Sequence, residues 1–178
     1  MKAIAYRPYA PSLWPDHPLP WSHAEGVGVL DWRCEQDTDY AEGLAAIWPA
    51  NARLFIVEHD VIPGEHTLAE LTACPEPVCT VIYRLYPAST ALESVLWSVR
   101  GLGNTFYVPG DAVPDFVPIS GLGMVKFSYG FRQLHPGPPL AGVHWSDLDN
   151  KMSNWLAMVE PPVLGWHVHR TEVQHLHR

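Results

Sequence analysis

The run Leu54-Phe55-Ile56-Val57 constrains the fold of this chain more than any other segment. All of its residues are apolar, and polar residues stand on both sides of it. A strand that is buried on both faces has this pattern, and such strands are typical of parallel sheets that are covered by helices. The run therefore predicts an interior strand of an α/β fold.

Other segments agree with this fold. Further strands are predicted at residues 2–6, 27–30 and 79–86, and a strand or short helix at 124–129. Helices are predicted from Asp37 or Thr38 to Pro49, from the capping box of Thr67 and Glu70, and from Ser146 to Glu160. Strands that alternate with helices predict one α/β domain over residues 1–178, with a mainly parallel sheet flanked by helices.

Composition excludes several classes of protein. The net charge is −8 and the 11 basic residues are scattered, which argues against binding to a nucleic-acid backbone. No apolar stretch approaches the roughly 18 residues of a membrane helix, and the first residues do not resemble a signal peptide. We therefore expect a cytoplasmic protein without a membrane span. The three cysteines are expected to be ordinary thiols, because C-x4-C without a second pair is a poor zinc motif.

Acidic residues follow the apolar run directly, in Glu58-His59-Asp60. Strand ends in open α/β sheets are where ligands bind, and two acids separated by one residue can direct their carboxylates at one point. Such oxygens suit Mg²⁺ or Mn²⁺. Alternatively, both acids simply end a strand and begin a turn.

Histidines are concentrated near the carboxyl terminus. His167 and His169 share one face of a predicted strand, and imidazole is a good ligand for Mn²⁺ or Zn²⁺. A metal site and a solvated tail remain equal alternatives for this pair. For His175 and His177 the solvated tail is favoured.

The segment Trp145-Ser146-Asp147-Leu148-Asp149 opens the last predicted helix. Ser146 as N-cap with Asp149 at N3 forms a capping box, which gives Asp149 a structural explanation. Asp147 is not needed for the cap and is a candidate general base. Upstream, Gly121 and Gly123 are candidates for close approach of the backbone to a ligand.

In this order the motifs resemble those of the GT-A glycosyltransferases. The matching segments are Leu30-Asp31, the helix from Tyr40 to Trp48, Phe55 to Asp60, Gly121-Leu122-Gly123, Trp145 to Asp149, and His167 or His169. The segment before Glu58 is shorter than is usual in that family. The resemblance therefore implies a GT-A-like fold with a truncated nucleotide-binding half.

The resemblance also implies roles for individual residues. Asp60, with His167 or His169, would bind Mn²⁺ or Mg²⁺, and Tyr6, Asp31, Glu58, Gly121 and Gly123 would contact a UDP-sugar or GDP-sugar donor. Asp147 and Asp149 would be the catalytic residues, with Asp147 as the base of an inverting transfer to an acceptor hydroxyl whose identity is unknown.

Two other functions fit the same residues. One is a metallohydrolase that uses His167, His169, Asp60 and His144. The other is a non-catalytic module that binds a nucleotide or glycan with some of its eight tryptophans.

Overall fold

The fold was analysed in a computed structural model that describes residues 3–13, 19, 26–81, 96–97, 106–107, 115–118, 120–171 and 173–175. The strands are β1 Ala3–Tyr9, β2 Val27–Arg33, β3 Arg53–Val57, β4 Val61–Pro63, β5 Val78–Val81, β6 Leu96–Trp97, β7 Phe106–Tyr107, β8 Phe116–Val117, β9 Met124–Phe127, β10 Trp166–His169 and β11 Val173–His175. The α-helices are α1 Asp39–Ile47, α2 Thr67–Ala73, α3 Tyr129–Leu134 and α4 Trp145–Leu156, and a 3-10 turn spans Pro11–Leu13.

Seven strands form the main sheet, in the order β2-β1-β3-β9-β5-β10-β8. Strands β2, β1 and β3 pair in parallel, as do β5 and β10. Strand β9 runs antiparallel to both β3 and β5, and β8 runs antiparallel to β10. Five strands therefore share one direction, which confirms the predicted mainly parallel sheet. Two short antiparallel sheets, β4 with β11 and β6 with β7, lie outside it.

The apolar run in β3 is buried on both faces, as predicted. Leu54 and Ile56 belong to one core, together with residues of α1, α3 and α4. Phe55 and Val57 belong to the second core, which α2, β4 and β11 cover from the other side of the sheet. Helices thus flank the sheet, because every side chain of this strand needs an apolar partner.

Element ends differ from the predictions where tertiary contacts decide them. Strand β1 continues past Arg7 to Tyr9, whereas its pairing with β3 ends at Tyr6. Pro8 therefore lies where β1 pairs with β2 but not with β3, and the missing N–H of proline is tolerated at such a position. The predicted strand at 79–86 is present as β5, and residues 82–86 lie outside the described residues. No helix in the described part of the chain combines the length and apolarity needed to cross a bilayer.

The predicted capping boxes do not form. Helix α4 begins one residue early, and its N-cap is His144, whose Nδ1 accepts the backbone N–H of Ser146 at 3.2 Å. Helix α2 begins at Thr67 itself, after His66, without a side-chain cap. A capping box therefore does not account for Asp149, whose carboxylate is bound elsewhere.

A buried arginine caps the C-terminal end of α1. The guanidinium of Arg132 in α3 donates to the carbonyl oxygens of Ala52 at 2.6 Å and Ile47 at 2.9 Å, and also to that of Trp48. The last carbonyls of a helix lack partners within the helix, so this side chain satisfies groups that would otherwise be buried without a hydrogen bond. Burial lowers the pKa of Arg132 to about 10, which leaves it charged at neutral pH.

We expect Arg132→Met to lower the free energy of unfolding by roughly 2–4 kcal/mol, because several buried carbonyls lose a charged donor. Urea unfolding followed by circular dichroism measures the change. The matched control is Arg33→Met, since Arg33 is exposed and pairs only at the surface with Glu35. Equal losses in the two variants would contradict this role of Arg132.

Candidate functional site

Three acidic residues lie near one another where the parallel strands end. The backbone N–H of Glu58, which follows β3, donates to the carbonyl of Gly123 at 2.9 Å. The Oδ1 atom of Asp149 in α4 accepts the backbone N–H of Leu122 at 3.1 Å. Residues 121–123, just before β9, therefore position both Glu58 and Asp149. Asp60 lies close enough to Glu58 for its charge to raise the pKa of Glu58. We call Glu58, Asp60 and Asp149 the carboxylate cluster.

The electrostatics of the carboxylate cluster favour a cation. Burial, followed by the neighbouring charges of Asp149 and then Asp60, raises the pKa of Glu58 to about 8, against the opposing hydrogen bond from Tyr40. Burial also raises the pKa of Asp149 to about 6, although the Leu122 N–H opposes this shift. Like charges held together out of water are stabilised by a bound metal ion, and carboxylate oxygens are the ligands that Mg²⁺ and Mn²⁺ prefer.

Tyr40 is a site residue that sequence reasoning missed. Its hydroxyl donates to Oε1 of Glu58 at 3.2 Å. Its backbone carbonyl accepts the hydroxyl of Tyr6 at 2.9 Å, and Gly43 leaves the space in which Tyr6 and Trp32 pack against α1. In the sequence, Tyr40 stands at helical spacing with Leu44, Ile47 and Trp48, and nothing in that pattern distinguishes it from a core residue.

Two predicted nucleotide contacts lie elsewhere. Tyr6 is fully buried in the core, so no atom of it is exposed to a ligand, and it reaches the carboxylate cluster only through Tyr40. Asp31 forms an ion pair with Arg7, with Nε and Oδ1 2.6 Å apart. Arg7 and Tyr6 are consecutive in β1 and point to opposite faces of the sheet. The ion pair therefore lies on the face opposite to Tyr6.

The two predicted catalytic acids of α4 have different surroundings. Asp149 is half-buried at the Leu122 N–H, whereas Asp147 is exposed in the first turn of the helix. Two residues along a helix correspond to a rotation of about 200°, so their side chains point in nearly opposite directions. Of the two, Asp149 belongs to the carboxylate cluster.

The predicted metal site of Asp60 with His167 and His169 is not formed. The two histidines lie on β10, and in the sheet order β9 and β5 separate this strand from β3. Three inter-strand spacings amount to roughly 14 Å. The histidines instead join Cys74 and Cys79, and one ligand atom from each of these residues lies within 4.8 Å of all the others. We call this group the Cys/His cluster, and its donor atoms can hold a metal ion.

His144 does not belong to either cluster. Its Nδ1 lies 2.8 Å from the hydroxyl of Ser146, and its Nε2 lies 3.0 Å from Oδ2 of Asp37. These contacts make it the cap of α4 and a link to the turn before α1. The metallohydrolase site of His144 with Asp60 and the late histidines is therefore not assembled.

An open cavity of about 430 Å³ lies at the opposite edge of the sheet. Ala3, Val27 and Ala52 are among its lining residues, which include no acid, base or histidine. This cavity has no chemical groups of the kind found in the carboxylate cluster.

Comparisons with known proteins give structural likeness alone. No protein-family model matches the chain, and no curated protein matches it. Similar solved structures include A197 from STIV (15% identity, TM-score 0.46, covering 75% of this chain and 68% of that one). Another is described as a glucose-1-phosphate thymidylyltransferase from Bacillus anthracis (11% identity, TM-score 0.49, covering 98% of this chain and 89% of that one). A third is described as a UDP-glucose pyrophosphorylase from Acinetobacter baumanii (10% identity, TM-score 0.41, covering 84% of this chain and 55% of that one). Likenesses at these TM-scores carry no conclusion about function.

The raised pKa of Glu58 predicts how stability changes with pH. The native carboxyl titrates at about 8 and an ordinary glutamate at 4.5, so the native chain binds more protons than the unfolded chain between these values. The free energy of unfolding therefore falls as pH rises through this window. We expect Glu58→Gln to flatten this decline in buffer containing EDTA.

Urea unfolding at several pH values measures this effect. Glu65→Gln is the control, because Glu65 is exposed in the loop before α2 and should leave the slope unchanged. If Glu58→Gln shows the same dependence of stability on pH as the wild-type protein, the raised pKa of Glu58 is wrong.

Proposed function

We propose that this protein is a divalent-metal-dependent transferase that moves a sugar from a nucleotide-sugar donor to an acceptor hydroxyl. One observation carries the proposal: Glu58 lies where strand β3 ends, close enough to Asp149 and Asp60 for their charges to raise its pKa. Ligands of open α/β sheets bind at this edge, outside the carboxyl ends of the strands. The sequence resemblance to GT-A glycosyltransferases is the reason for proposing a nucleotide sugar as the donor.

Glu58 and Asp60 are the residues that would hold the metal. Both follow β3, and both carboxylates offer hard oxygen donors that fit Mg²⁺ or Mn²⁺. The pKa of Glu58, raised to about 8 by burial, Asp149 and Asp60, supports this fit, since a cation would relieve the repulsion. When bound, such an ion neutralises the negative charge of a departing nucleoside diphosphate.

Asp149 is the proposed general base, in place of Asp147. The N–H of Leu122 fixes one of its oxygens, which leaves the other available to an acceptor hydroxyl. Burial raises the pKa of Asp149 to about 6, close to the value that suits a base working near neutral pH. The exposed Asp147 has no comparable anchor among the described contacts.

The backbone of residues 121–123 would form one wall of the site. Gly123 accepts the N–H of Glu58 and Leu122 donates to Asp149, so this segment sets the spacing of both acids. Gly121 is half-buried and carries no side chain, which would allow a ligand to approach its backbone closely. This is the proposed role of Gly121, whereas the buried Gly123 positions Glu58 through its carbonyl.

The donor-binding prediction concerns Asp60. We expect UDP-sugars or GDP-sugars to bind by isothermal titration calorimetry only when Mn²⁺ or Mg²⁺ is present, and Asp60→Asn to abolish this metal-dependent binding. Asp115→Asn is the control, because Asp115 is exposed and pairs with Arg170 at 3.3 Å. Binding that survives both EDTA and the Asp60 substitution would favour a non-catalytic nucleotide-binding or glycan-binding module instead.

The catalytic prediction separates the two acids of α4. We expect Asp149→Asn to retain donor binding and to lower the rate of donor turnover by about 10²–10⁴-fold, the usual loss when a general base is removed. Asp147→Asn is the matched control and should change the rate little. Release of the nucleoside diphosphate in a coupled assay gives the rate. A larger loss in Asp147→Asn than in Asp149→Asn would return the role of base to Asp147.

A further inference from the structure

The Cys/His cluster has the donor atoms of a zinc site, and three pairs of them have the spacing of one. Cys74 Sγ lies 3.3 Å from His167 Nδ1 and 3.5 Å from Cys79 Sγ, and His167 Nδ1 lies 3.2 Å from His169 Nε2. Zinc bonds of about 2.3 Å to sulfur and 2.0–2.1 Å to nitrogen give a tetrahedron with edges of roughly 3.3–3.8 Å. These three separations are close to the edges of such a tetrahedron, and every pair of the four donor atoms lies within 4.8 Å.

The fold positions the four ligands from two directions. Cys79 in β5 pairs with His167 in β10, and His169 lies two residues farther along the same face of β10. Cys74 ends α2 as its C-cap residue and approaches from above the sheet. Three ligands therefore come from hydrogen-bonded strands, which hold their spacing rigidly, and the fourth comes from a helix end.

A carboxylate orients one of the imidazoles. The Nδ1 atom of His169 lies 3.1 Å from Oε1 of Glu70 in α2, which leaves Nε2 to face the other ligands. Histidines that bind metals usually donate their other ring N–H to such a partner, because the bond fixes the tautomer and the orientation of the ring. Glu70 is therefore a positioning residue for His169.

A buried cation lies beside the two cysteines. Lys126 is fully buried and pairs with Cys79 in the sheet. Its Nζ donates to the carbonyls of Cys74 at 3.1 Å and Glu76 at 2.8 Å. Two thiolates with a divalent ion are neutral, so a bound zinc ion would add no net charge beside this ammonium.

We propose that Cys74, Cys79, His167 and His169 bind one structural zinc ion that ties the end of α2 to strands β5 and β10. Thiolate sulfur and imidazole nitrogen select zinc over the Mg²⁺ or Mn²⁺ expected at the carboxylate cluster. Four protein ligands fill a tetrahedral ion and leave no position for a substrate, so the site is structural. It lies across the sheet from the proposed transferase site and does not depend on that proposal.

The first test is the metal content of the purified chain. Mass spectrometry of the metals should find one zinc ion per chain after dialysis against metal-free buffer, and Cys74→Ser should lose it. Cys34→Ser is the matched control, because Cys34 is the remaining cysteine and packs against the other core. Asp60→Asn should also keep its zinc, so that failure of the transferase proposal and failure of this one can be distinguished.

A second measurement covers the case in which Cys74→Ser does not fold. Co²⁺ exchanged into the wild-type chain should give the visible spectrum of a tetrahedral ion together with a thiolate charge-transfer band.

Glu70→Gln should weaken zinc binding by about tenfold in a chelator competition, whereas the exposed Glu65→Gln should not.

Three results would overturn the proposal. The first is a wild-type chain that is isolated without zinc and gives no tetrahedral spectrum when Co²⁺ is added under reducing conditions. The second is equal loss of zinc in Cys34→Ser and Cys74→Ser. The third is a zinc-free native chain in which mass spectrometry detects a Cys74–Cys79 disulfide, since an S–S bond removes both thiolate ligands.

Discussion

The insertion of β9, antiparallel, between β3 and β5 is the constraint on which both clusters depend. Its ladder with β3 pairs Met124 with Val57, and the carbonyl of Gly123 then accepts the N–H of Glu58. Its ladder with β5 pairs Lys126 with Cys79 and brings the buried ammonium beside the thiols. A shift of one residue would turn every side chain of β9 to the other face. The register of this strand therefore fixes the surroundings of two sites at once.

The two clusters differ in chemistry as well as in position. The carboxylate cluster combines oxygen donors with like charges. Burial raises the pKa values of Glu58 and Asp149, and for Glu58 the charges of Asp149 and Asp60 add to this effect. The Cys/His cluster combines sulfur and nitrogen donors with a neighbouring cation, Lys126. Hard oxygen and soft sulfur sets select different metals. The two clusters therefore favour different metal ions, and the proposed structural zinc lies apart from the proposed transferase site.

Much of the fold could be predicted from local sequence, because apolar runs and helical periodicity report which faces are buried. The β3 strand, the sheet direction and the helices α1 and α4 are examples. The caps could not be predicted in the same way. Ser146 satisfies the local rule for an N-cap, yet His144 takes that place, since its imidazole is held by Asp37 from another part of the chain. Tyr40 could not be predicted as a site residue for a similar reason: its hydroxyl contacts Glu58 only after α1 packs on the sheet.

Short segments of the sequence were enough to predict that a doubly buried strand is followed by Glu58 and Asp60, and that Asp149 lies near the start of a helix. Which side chains meet depends on the three-dimensional packing. It brought Asp149 rather than Asp147 to Glu58, and it joined His167 and His169 to Cys74 and Cys79 instead of Asp60. The physical reason is that strand order and register arise from packing over the whole sheet. Nothing in the C-x4-C segment itself indicates that the two histidines lie beside it in the folded chain.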